Sequence, residues 1–185
     1  MVIFSIRFYR SSNMKKMFSI ILSILYGCNS FTQTLPCSGA VYRQFDFWIG
    51  EWEAFGPSGK KAGDSRISSI LDSCVILEEW TSASAVKGLT YSGKSFNRYN
   101  AATNQWQQSW VDNTGKSNEY LKGKFVNNSL VFQTEPFHFK TDTIAIRRLT
   151  FFNLGRDKLR QLGEISKDKE LTWTTEYDLE YRRKK

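Results

Sequence analysis

The chain has 185 residues, a formal net charge of +8 and a single histidine, His138. Nucleic-acid binding is not expected, because Cys28 to Tyr181 contains 18 basic and 18 acidic residues, whereas groove binding needs a concentrated basic face. One histidine cannot supply a two-histidine metal site, and the sequence has no phosphate loop or dinucleotide fingerprint. We therefore expect no metal, no cofactor and no nucleic-acid partner, with haem ligation through His138 as a minor alternative.

The N-terminal residues resemble a secretory signal. Lys15 and Lys16 precede the apolar run Phe18–Tyr26, which is about half the ~20 residues that a membrane-spanning helix needs. We expect Met14 to be the true start, which makes residues 1–27 a start-site extension followed by a signal peptide. The protein is then exported to the periplasm, to the outer membrane as a lipoprotein, or out of the cell.

The three cysteines favour a disulfide and leave two alternatives for signal cleavage. The segment "LYGC", which ends at Cys28, resembles the lipobox of bacterial lipoproteins, although its tyrosine fits that pattern poorly. A lipid on Cys28 would attach the protein to a membrane, whereas the alternative is ordinary cleavage between Gly27 and Gln33. In an oxidising compartment Cys37 and Cys74 would remain as an even pair and form a disulfide, unless Cys74 is a buried thiol.

Residues 45–185 are expected to form one β-barrel domain, preceded by a linker at residues 28–44. Segments with period-2 alternation are separated by turn signals at short intervals, and a helical period is nearly absent. Closely spaced strands without helices favour an all-β, up-and-down antiparallel arrangement of about ten strands, and closure into a barrel removes the exposed sheet edges. The turn signals lie at residues 56–63, 100–104, 112–115, 126–129, 153–157 and 166–170.

Three of the expected strands alternate clearly between a packed face and a wet face. The final strand is expected over residues 170–182, with acidic and threonine side chains on its wet face. The residues that share a packed face are Leu89, Tyr91, Gly93, Ser95, Asn97 and Tyr99 in the first strand, Trp106, Gln108, Trp110 and Asp112 in the second, and Leu171, Trp173, Thr175, Tyr177, Leu179 and Tyr181 in the last.

The segment "FDFWIGEW" concentrates aromatic rings just before the first strand. Its Gly50-Glu51-Trp52 resembles the G-x-W of lipocalin-type (calycin) barrels, in which the tryptophan closes one end of the barrel. That resemblance implies that a basic residue of the final strand, Arg182 or Arg183, packs over the Trp52 ring by a cation–π contact. The stopper across the barrel mouth is then formed by Phe45, Phe47 and Trp48.

Several segments in the same order resemble one family of exported bacterial proteins of unknown function, which is recognised by an opening of the type FDFW-x-G-x-W. The resemblance runs from near Cys37 to Arg183. It implies a calycin-like barrel of about ten strands and usually an exported location, and it implies no activity. The segments are "FDFWIGEW", "SCVILEEW", "GKSFNRYN", "WQQSWVDNTG", "RRLTFF", "RQLGEISKDKELTW" and "YDLEYRR".

The interior of such a barrel is expected to hold one small ligand. Aromatic walls would grip an apolar or planar molecule, while Arg148 and Glu164 orient it. The alternative is a filled core in which Arg148 pairs with Glu78 or Glu164 to neutralise buried charge. The expected ligand-binding residues are Tyr91, Ser95, Asn97, Trp106, Trp110, Asp112, Arg148, Glu164, Trp173, Tyr177 and Tyr181.

Three functions remain open from the sequence. The leading expectation is an exported, non-enzymatic barrel that binds a small apolar or planar molecule. The second is an enzyme, an isomerase or a hydrolase, in which Glu78 or Glu164 is a buried carboxylate with a raised pKa, because Glu78 shares a strand face with Ile76 and Trp80. The third is a structural envelope protein whose wet strand faces bind other proteins. No ligand and no oligomeric state are indicated.

Overall fold

The computed structural model describes residues 35–185, so the expected signal peptide, the start at Met14 and the lipidation of Cys28 lie outside the described residues. Two short 3₁₀-helices, Ala40–Arg43 and Asp46–Trp48, precede eleven strands. The strands are β1 (Gly50–Phe55), β2 (Lys61–Ile70), β3 (Val75–Val86), β4 (Leu89–Asn100), β5 (Gln105–Asp112), β6 (Ser117–Val126), β7 (Ser129–Gln133), β8 (Phe137–Lys140), β9 (Thr143–Asn153), β10 (Lys158–Ser166) and β11 (Thr174–Arg183).

Ten of these strands close into an antiparallel barrel. Consecutive strands pair from β1 to β7, β9 pairs with both β7 and β10, and β11 pairs with both β10 and β1. The short strand β8 pairs with the first residues of β9, beyond the β7 pairing. Closure removes the sheet edges that an open sheet of this length would expose. The expected all-β, up-and-down barrel is therefore confirmed.

The aromatic residues ahead of β1 close one end of the barrel. Phe45 and Trp48 are fully buried, and their rings stack with centroids 4.9 Å apart. Phe151 of β9 packs against both rings, with centroids 4.9 Å from Phe45 and 4.5 Å from Trp48. Phe47 is partly buried against the same cluster. The expected stopper is present, with Phe45 and Trp48 at its centre.

Trp52 is fully buried and is covered by the last strand. The guanidinium carbon of Arg183 lies 4.2 Å from the Trp52 ring centroid. Gly50 makes this approach possible because it has no side chain, and a Cβ there would meet Nη1 of Arg183 at 2.0 Å. Its φ of +140° is also a backbone conformation that favours glycine. The expected structural role of Arg182 is corrected to Arg183, because successive side chains of a strand point to opposite faces and Arg182 lies over the Phe55 ring.

A disulfide between Cys37 and Cys74 ties the N-terminal segment to the turn between β2 and β3, as the cysteine count predicted. Arg43 supports the same junction, because its Nη2 donates hydrogen bonds to the backbone carbonyls of Cys37 and Ser73. Residues 35–44, which the sequence assigned to a linker, therefore belong to the compact unit that extends to the end of the chain.

The last strand begins later than its alternation pattern predicted. β11 begins at Thr174, and Leu171 is 83% exposed. The cause is Asp168, whose carboxylate accepts hydrogen bonds from the hydroxyl of Ser166 and from the backbone N–H and hydroxyl of Thr172. These bonds hold the chain in a loop ahead of β11, so the residues of that loop do not continue the packed face of the strand.

Candidate functional site

A cavity of about 750 Å³ occupies the barrel on the far side of the aromatic stopper. Sites that hold one small organic molecule typically have volumes of roughly 300–1,000 Å³. Strands β3, β4, β5, β6, β9, β10 and β11 all contribute to its walls. The lining residues are Glu78, Trp80, Ser82, Tyr91, Gln108, Trp110, Lys116, Ser117, Asn118, Tyr120, Arg147, Leu149, Gln161, Glu176, Tyr177, Leu179 and Tyr181.

Glycines in the barrel wall give three of the large lining rings space to lie against the backbone. A Cβ added at any of these glycines would come within 2.3–2.5 Å of the ring that covers it, which is far inside van der Waals contact. With a larger residue beneath it, each ring would move towards the cavity. The pairs are Trp80 over Gly63, Trp110 over Gly93 and Tyr177 over Gly163.

Glu78 of β3 lies at the cavity floor and is only 3% exposed. It is two residues from Ile76, which belongs to the buried cluster around Phe45 and Trp48. Its carboxylate oxygens accept hydrogen bonds from the hydroxyls of Ser65 at 3.0 Å and Ser95 at 2.8 Å. Burial raises the pKa of Glu78 to about 7, although both hydroxyls oppose the shift. Among residues 35–185 no lysine or arginine forms a salt bridge with it. The floor therefore holds a carboxyl group that titrates near neutral pH.

A chain of buried amide side chains connects this carboxyl group to the cavity wall. Asn97 donates hydrogen bonds to the Ser95 hydroxyl at 3.0 Å and to the carbonyl of Ile76 at 3.1 Å. Gln108 donates in turn to Oδ1 of Asn97 at 2.7 Å, and it also lines the cavity. Because these side chains are buried and mutually hydrogen-bonded, they hold Ser95 and the carboxyl group of Glu78 in one arrangement.

Arg147 and Glu176 form an ion pair at the end of the cavity away from the stopper. Nε of Arg147 lies 2.8 Å from a carboxylate oxygen of Glu176, and its Nη1 donates to Oδ1 of Asn118 at 3.2 Å. Glu176 turns towards this end because the pairing of β10 with β11 skips it, and a β-bulge of this kind re-aims a side chain. The charge of Arg147 is therefore already balanced within the protein.

Two tyrosines in the wall are fixed by their hydroxyl groups. The hydroxyl of Tyr91 donates to a carboxylate oxygen of Asp112 at 3.0 Å, and burial together with this bond raises the pKa of Tyr91 to about 12. The hydroxyl of Tyr181 donates to Oε1 of Gln161 at 2.6 Å, and burial raises the pKa of Tyr181 well above its ordinary value. Both hydroxyls are therefore protonated at neutral pH.

The structure brings most of the expected ligand-binding residues to the barrel interior. Four of them line the cavity, and the other interior residues support it from below or from the side. The four are Tyr91, Trp110, Tyr177 and Tyr181. The supporting residues are Ser95 and Asn97 beside Glu78, Trp106, and Asp112, which accepts the hydrogen bond from Tyr91. Trp106 belongs to the buried cluster around Phe45 and Trp48, and its Nε1 donates to Gln44.

Arg148, Glu164 and Trp173 lie outside the cavity, which corrects their expected place in its lining. Arg148 pairs with Glu164 across β9 and β10 at 2.8 Å, and its guanidinium carbon lies 4.0 Å from the Trp173 ring centroid. Side chains alternate between the two faces of a strand. Because Arg147 and Leu149 line the cavity, Arg148 between them lies on the outer face. The Arg148–Glu164 pair, which the filled-core alternative placed inside the barrel, is therefore on the barrel exterior.

Several lining residues were missed by the sequence-based prediction. The sequence could have indicated Trp80 and Gln108 as lining residues, because alternation places each on the same strand face as an expected residue. It could also have indicated Arg147, since the apolar Leu149 follows it by two residues. It could not have indicated Glu176, because a β-bulge is not visible in the local sequence. The other missed lining residues are Ser82, Lys116, Ser117, Asn118, Tyr120, Leu149, Gln161 and Leu179.

Two other kinds of site, a metal centre and a membrane-spanning helix, are absent from residues 35–185. Residues 35–185 contain no group of three or more His, Cys, Asp or Glu side chains placed to hold a metal ion. Within this range no helix has the length and apolar character needed to cross a bilayer. His138 is exposed on β8 and does not contribute to the cavity lining.

Comparison with known proteins assigns no family to the chain. No protein-family model matches it, and a search of curated proteins gives no match. A functional proposal therefore rests on the geometry of the cavity.

Proposed function

We propose that this protein is an exported, ligand-binding β-barrel that takes one small apolar or planar molecule into its cavity. The observation that carries the proposal is an unfilled interior of about 750 Å³ with six aromatic side chains in its lining. Small barrels commonly fill their interior with their own side chains or hold one small ligand, and this interior is not filled. The six residues are Trp80, Tyr91, Trp110, Tyr120, Tyr177 and Tyr181.

The chemistry of the lining supports a ligand with a flat or apolar body. Burial of apolar surface contributes roughly 25 cal/mol per Å², and a well-placed ring pair adds about 0.5–1.5 kcal/mol. A few polar groups converge on the same space, with Glu78, Gln108 and Gln161 towards the stopper and Arg147 at the other end. Six of the 17 lining residues are aromatic and nine are polar or charged, so the wall combines apolar faces that can hold a ring system with polar groups that can orient it.

Export is supported by the disulfide. The bond between Cys37 and Cys74 is compatible with an oxidising compartment. The signal segment at residues 1–27, the lipidation of Cys28 and the resemblance to the exported family with the FDFW-x-G-x-W opening stay predictions from the sequence. Together these features favour the periplasm, an outer-membrane lipoprotein or secretion.

Native mass spectrometry of protein purified from its own host tests the proposal. We expect a small added mass that disappears when the protein is denatured. The matched variants are Leu179→Trp, which places a larger ring in the cavity lining, and Leu121→Trp, at a residue that does not line the cavity. Loss of the added mass in the first variant alone would support binding in the cavity. A bare polypeptide mass, even after incubation with an extract of the host, would overturn the proposal.

A second candidate is an enzyme that uses Glu78 as a general acid or base. The observation that favours it is a carboxyl group in the cavity lining with its pKa raised to about 7, where a proton can be given or accepted at neutral pH. Glu164 does not fit this role because it is paired with Arg148 outside the cavity. Glu78→Gln is expected to abolish turnover if the protein is an enzyme, and to preserve the binding of neutral molecules if it only binds.

A further inference from the structure

Glu78 differs from Glu176, the other carboxylate in the cavity lining, in having no basic partner. Within residues 35–185, its hydrogen-bond partners are the neutral hydroxyls of Ser65 and Ser95. By contrast, Glu176 at the other end of the cavity is paired with Arg147. A buried carboxylate without a cation is costly when it is ionised. A cation supplied from outside the protein would remove that cost.

A ligand in the cavity can reach the carboxyl group. Glu78 belongs to the cavity lining, and an ionised carboxylate has about four acceptor sites, of which the two serine hydroxyls occupy one on each oxygen. The remaining acceptor capacity matches a group that only donates hydrogen bonds. An ammonium group has three donors and no acceptor, so it fits this position better than a hydroxyl or a carboxylate.

The aromatic walls favour the same charge. The faces of Trp and Tyr rings carry negative electrostatic potential and attract cations. Trp80 lies on the same strand as Glu78, two residues away, and Trp110 lines the cavity from β5. An anionic ligand would instead meet an unneutralised carboxylate at the floor. Of the two cations in the lining, Arg147 is engaged by Glu176, and Lys116 lies in the exposed turn ahead of β6.

We infer that the ligand is an aromatic amine whose protonated amino group binds the carboxylate of Glu78 while its ring system packs between the aromatic walls of the cavity. This inference rests on the proposed function, because it names the chemical class of the molecule that the cavity holds. The amino group is placed at the floor and the rings are placed towards the open part of the barrel, beside Trp80 and Trp110.

The charge of Glu78 makes the preference for a ligand with an ammonium group depend on pH. The titratable groups that face Glu78 are Tyr91, Tyr177 and Tyr181, and all three stay neutral below about pH 9 because burial raises their pKa values. The pKa of Glu78 is raised to about 7, so the free protein is largely protonated there at about pH 6 and largely ionised at about pH 8. At about pH 7, where about half of the free protein is protonated at Glu78, binding of an ammonium ligand therefore releases on average about half a proton to the solvent.

Isothermal titration calorimetry with three probes of one ring system tests the inference. Tryptamine carries an ammonium group, tryptophol carries a hydroxyl in its place, and indoleacetate carries a carboxylate. At about pH 8 we expect tryptamine to bind at least about tenfold more tightly than tryptophol, because a hydrogen bond between two charged groups is stronger than one from a neutral hydroxyl. Indoleacetate is expected to bind most weakly. At about pH 6 the preference for tryptamine should shrink several-fold.

The matched variants are Glu78→Gln and Glu119→Gln. The first keeps the shape of the side chain and removes its charge, whereas Glu119 is an exposed residue of β6 that bonds to Ser109 and does not line the cavity. We expect Glu78→Gln to bring the tryptamine and tryptophol affinities within about twofold of each other, and Glu119→Gln to leave their ratio unchanged. The pH series on the unaltered protein gives the same test without any variant.

The outcomes separate this inference from the proposed function. Equal binding of tryptamine and tryptophol, or tighter binding of indoleacetate, would overturn the amine inference while leaving the ligand-binding barrel intact. A preference for tryptamine that persists in Glu78→Gln would overturn the role of Glu78. Failure of all three probes to bind at millimolar concentration would overturn both the inference and the proposed binding of planar molecules.

Discussion

Arg183 lies over the ring of Trp52, with 4.2 Å between its guanidinium carbon and the ring centroid, and its Nη1 donates to the carbonyl of Ile49 at 3.0 Å. This contact joins the last strand of the barrel to the first and to the segment before it. Since β1 also pairs with β11, Arg183 seals the closed end at the seam where the barrel is completed.

Replacing Arg183 by Gln is expected to destabilise the barrel by roughly 2–3 kcal/mol, because both the cation–π contact and the hydrogen bonds of the guanidinium are lost. Arg182→Gln is the matched control, since Arg182 covers Phe55 and its side chain is 55% exposed. That change is expected to cost less than about 1 kcal/mol. Guanidinium chloride unfolding of the two variants gives the comparison, and equal losses would contradict the sealing role of Arg183.

The cavity is expected to narrow when a methyl group is placed beneath Trp110. A Cβ at Gly93 would lie 2.3 Å from Cζ2 of that ring, so Gly93→Ala forces either the ring or the strand to move. We expect a destabilisation of roughly 1–3 kcal/mol together with weaker binding of planar molecules. At Gly56 the nearest atom to an added Cβ is 3.9 Å away, and Gly56→Ala is expected to leave both properties nearly unchanged. Thermal unfolding and a binding titration on both variants would show whether they differ.

Reduction of the disulfide is expected to lower the free energy of unfolding by roughly 3–4 kcal/mol on the loop-entropy model, because Cys37 and Cys74 are 37 residues apart in sequence. The measurement is denaturant unfolding with and without dithiothreitol. The double variant Cys37→Ser/Cys74→Ser should be as unstable as the reduced protein and should not respond to the reductant. A reductant effect in that variant would show that the loss has another cause.

Ionisation of Glu78 is expected to destabilise the barrel as pH rises. The pKa of Glu78 is raised in the folded protein from 4.5 to about 7, so its contribution to stability is fully present below about pH 4.5 and is lost as pH rises towards and through 7. The full loss amounts to roughly 3 kcal/mol. The Glu78→Gln variant has no ionisable group at this position, so its free energy of unfolding does not fall for this reason as pH rises. The difference in unfolding free energy between the original protein and the variant should therefore change by about that amount between pH 4 and 8, and two parallel curves would contradict the unpaired, buried state of the carboxyl group.

Alternation and composition predicted much of the fold. The packed faces of β4 and β5 follow from period-2 patterns. The aromatic residues ahead of Trp52 lie before the first strand and must bury their apolar area, which places them at the end of the barrel. The disulfide followed from the number of cysteines once Cys28 was set aside. Each of these inferences needs only local sequence and a general rule about where apolar area is buried.

The site was harder to predict because its details depend on register and on long-range pairing. Arg147 and Arg148 are adjacent, so a shift of one residue exchanges their faces. The loop fixed by Asp168 moves Trp173 to the outside, and the β-bulge brings Glu176 to the cavity. The serine partners of Glu78 come from β2 and β4, the strands that flank β3, and they depend on the register of both pairings, which no local pattern indicates.

If the barrel interior is one binding site for a small planar molecule, the neutral fluorescent probe N-phenylnaphthylamine should bind there, and a fluorescence titration measures this binding. We expect saturable binding of one probe molecule per barrel. We also expect an affinity at least about tenfold weaker in Leu179→Trp, which fills the cavity, and unchanged within about twofold in the exterior control Leu121→Trp. Absence of saturation, or the same affinity in both variants, would show that the interior is not such a site.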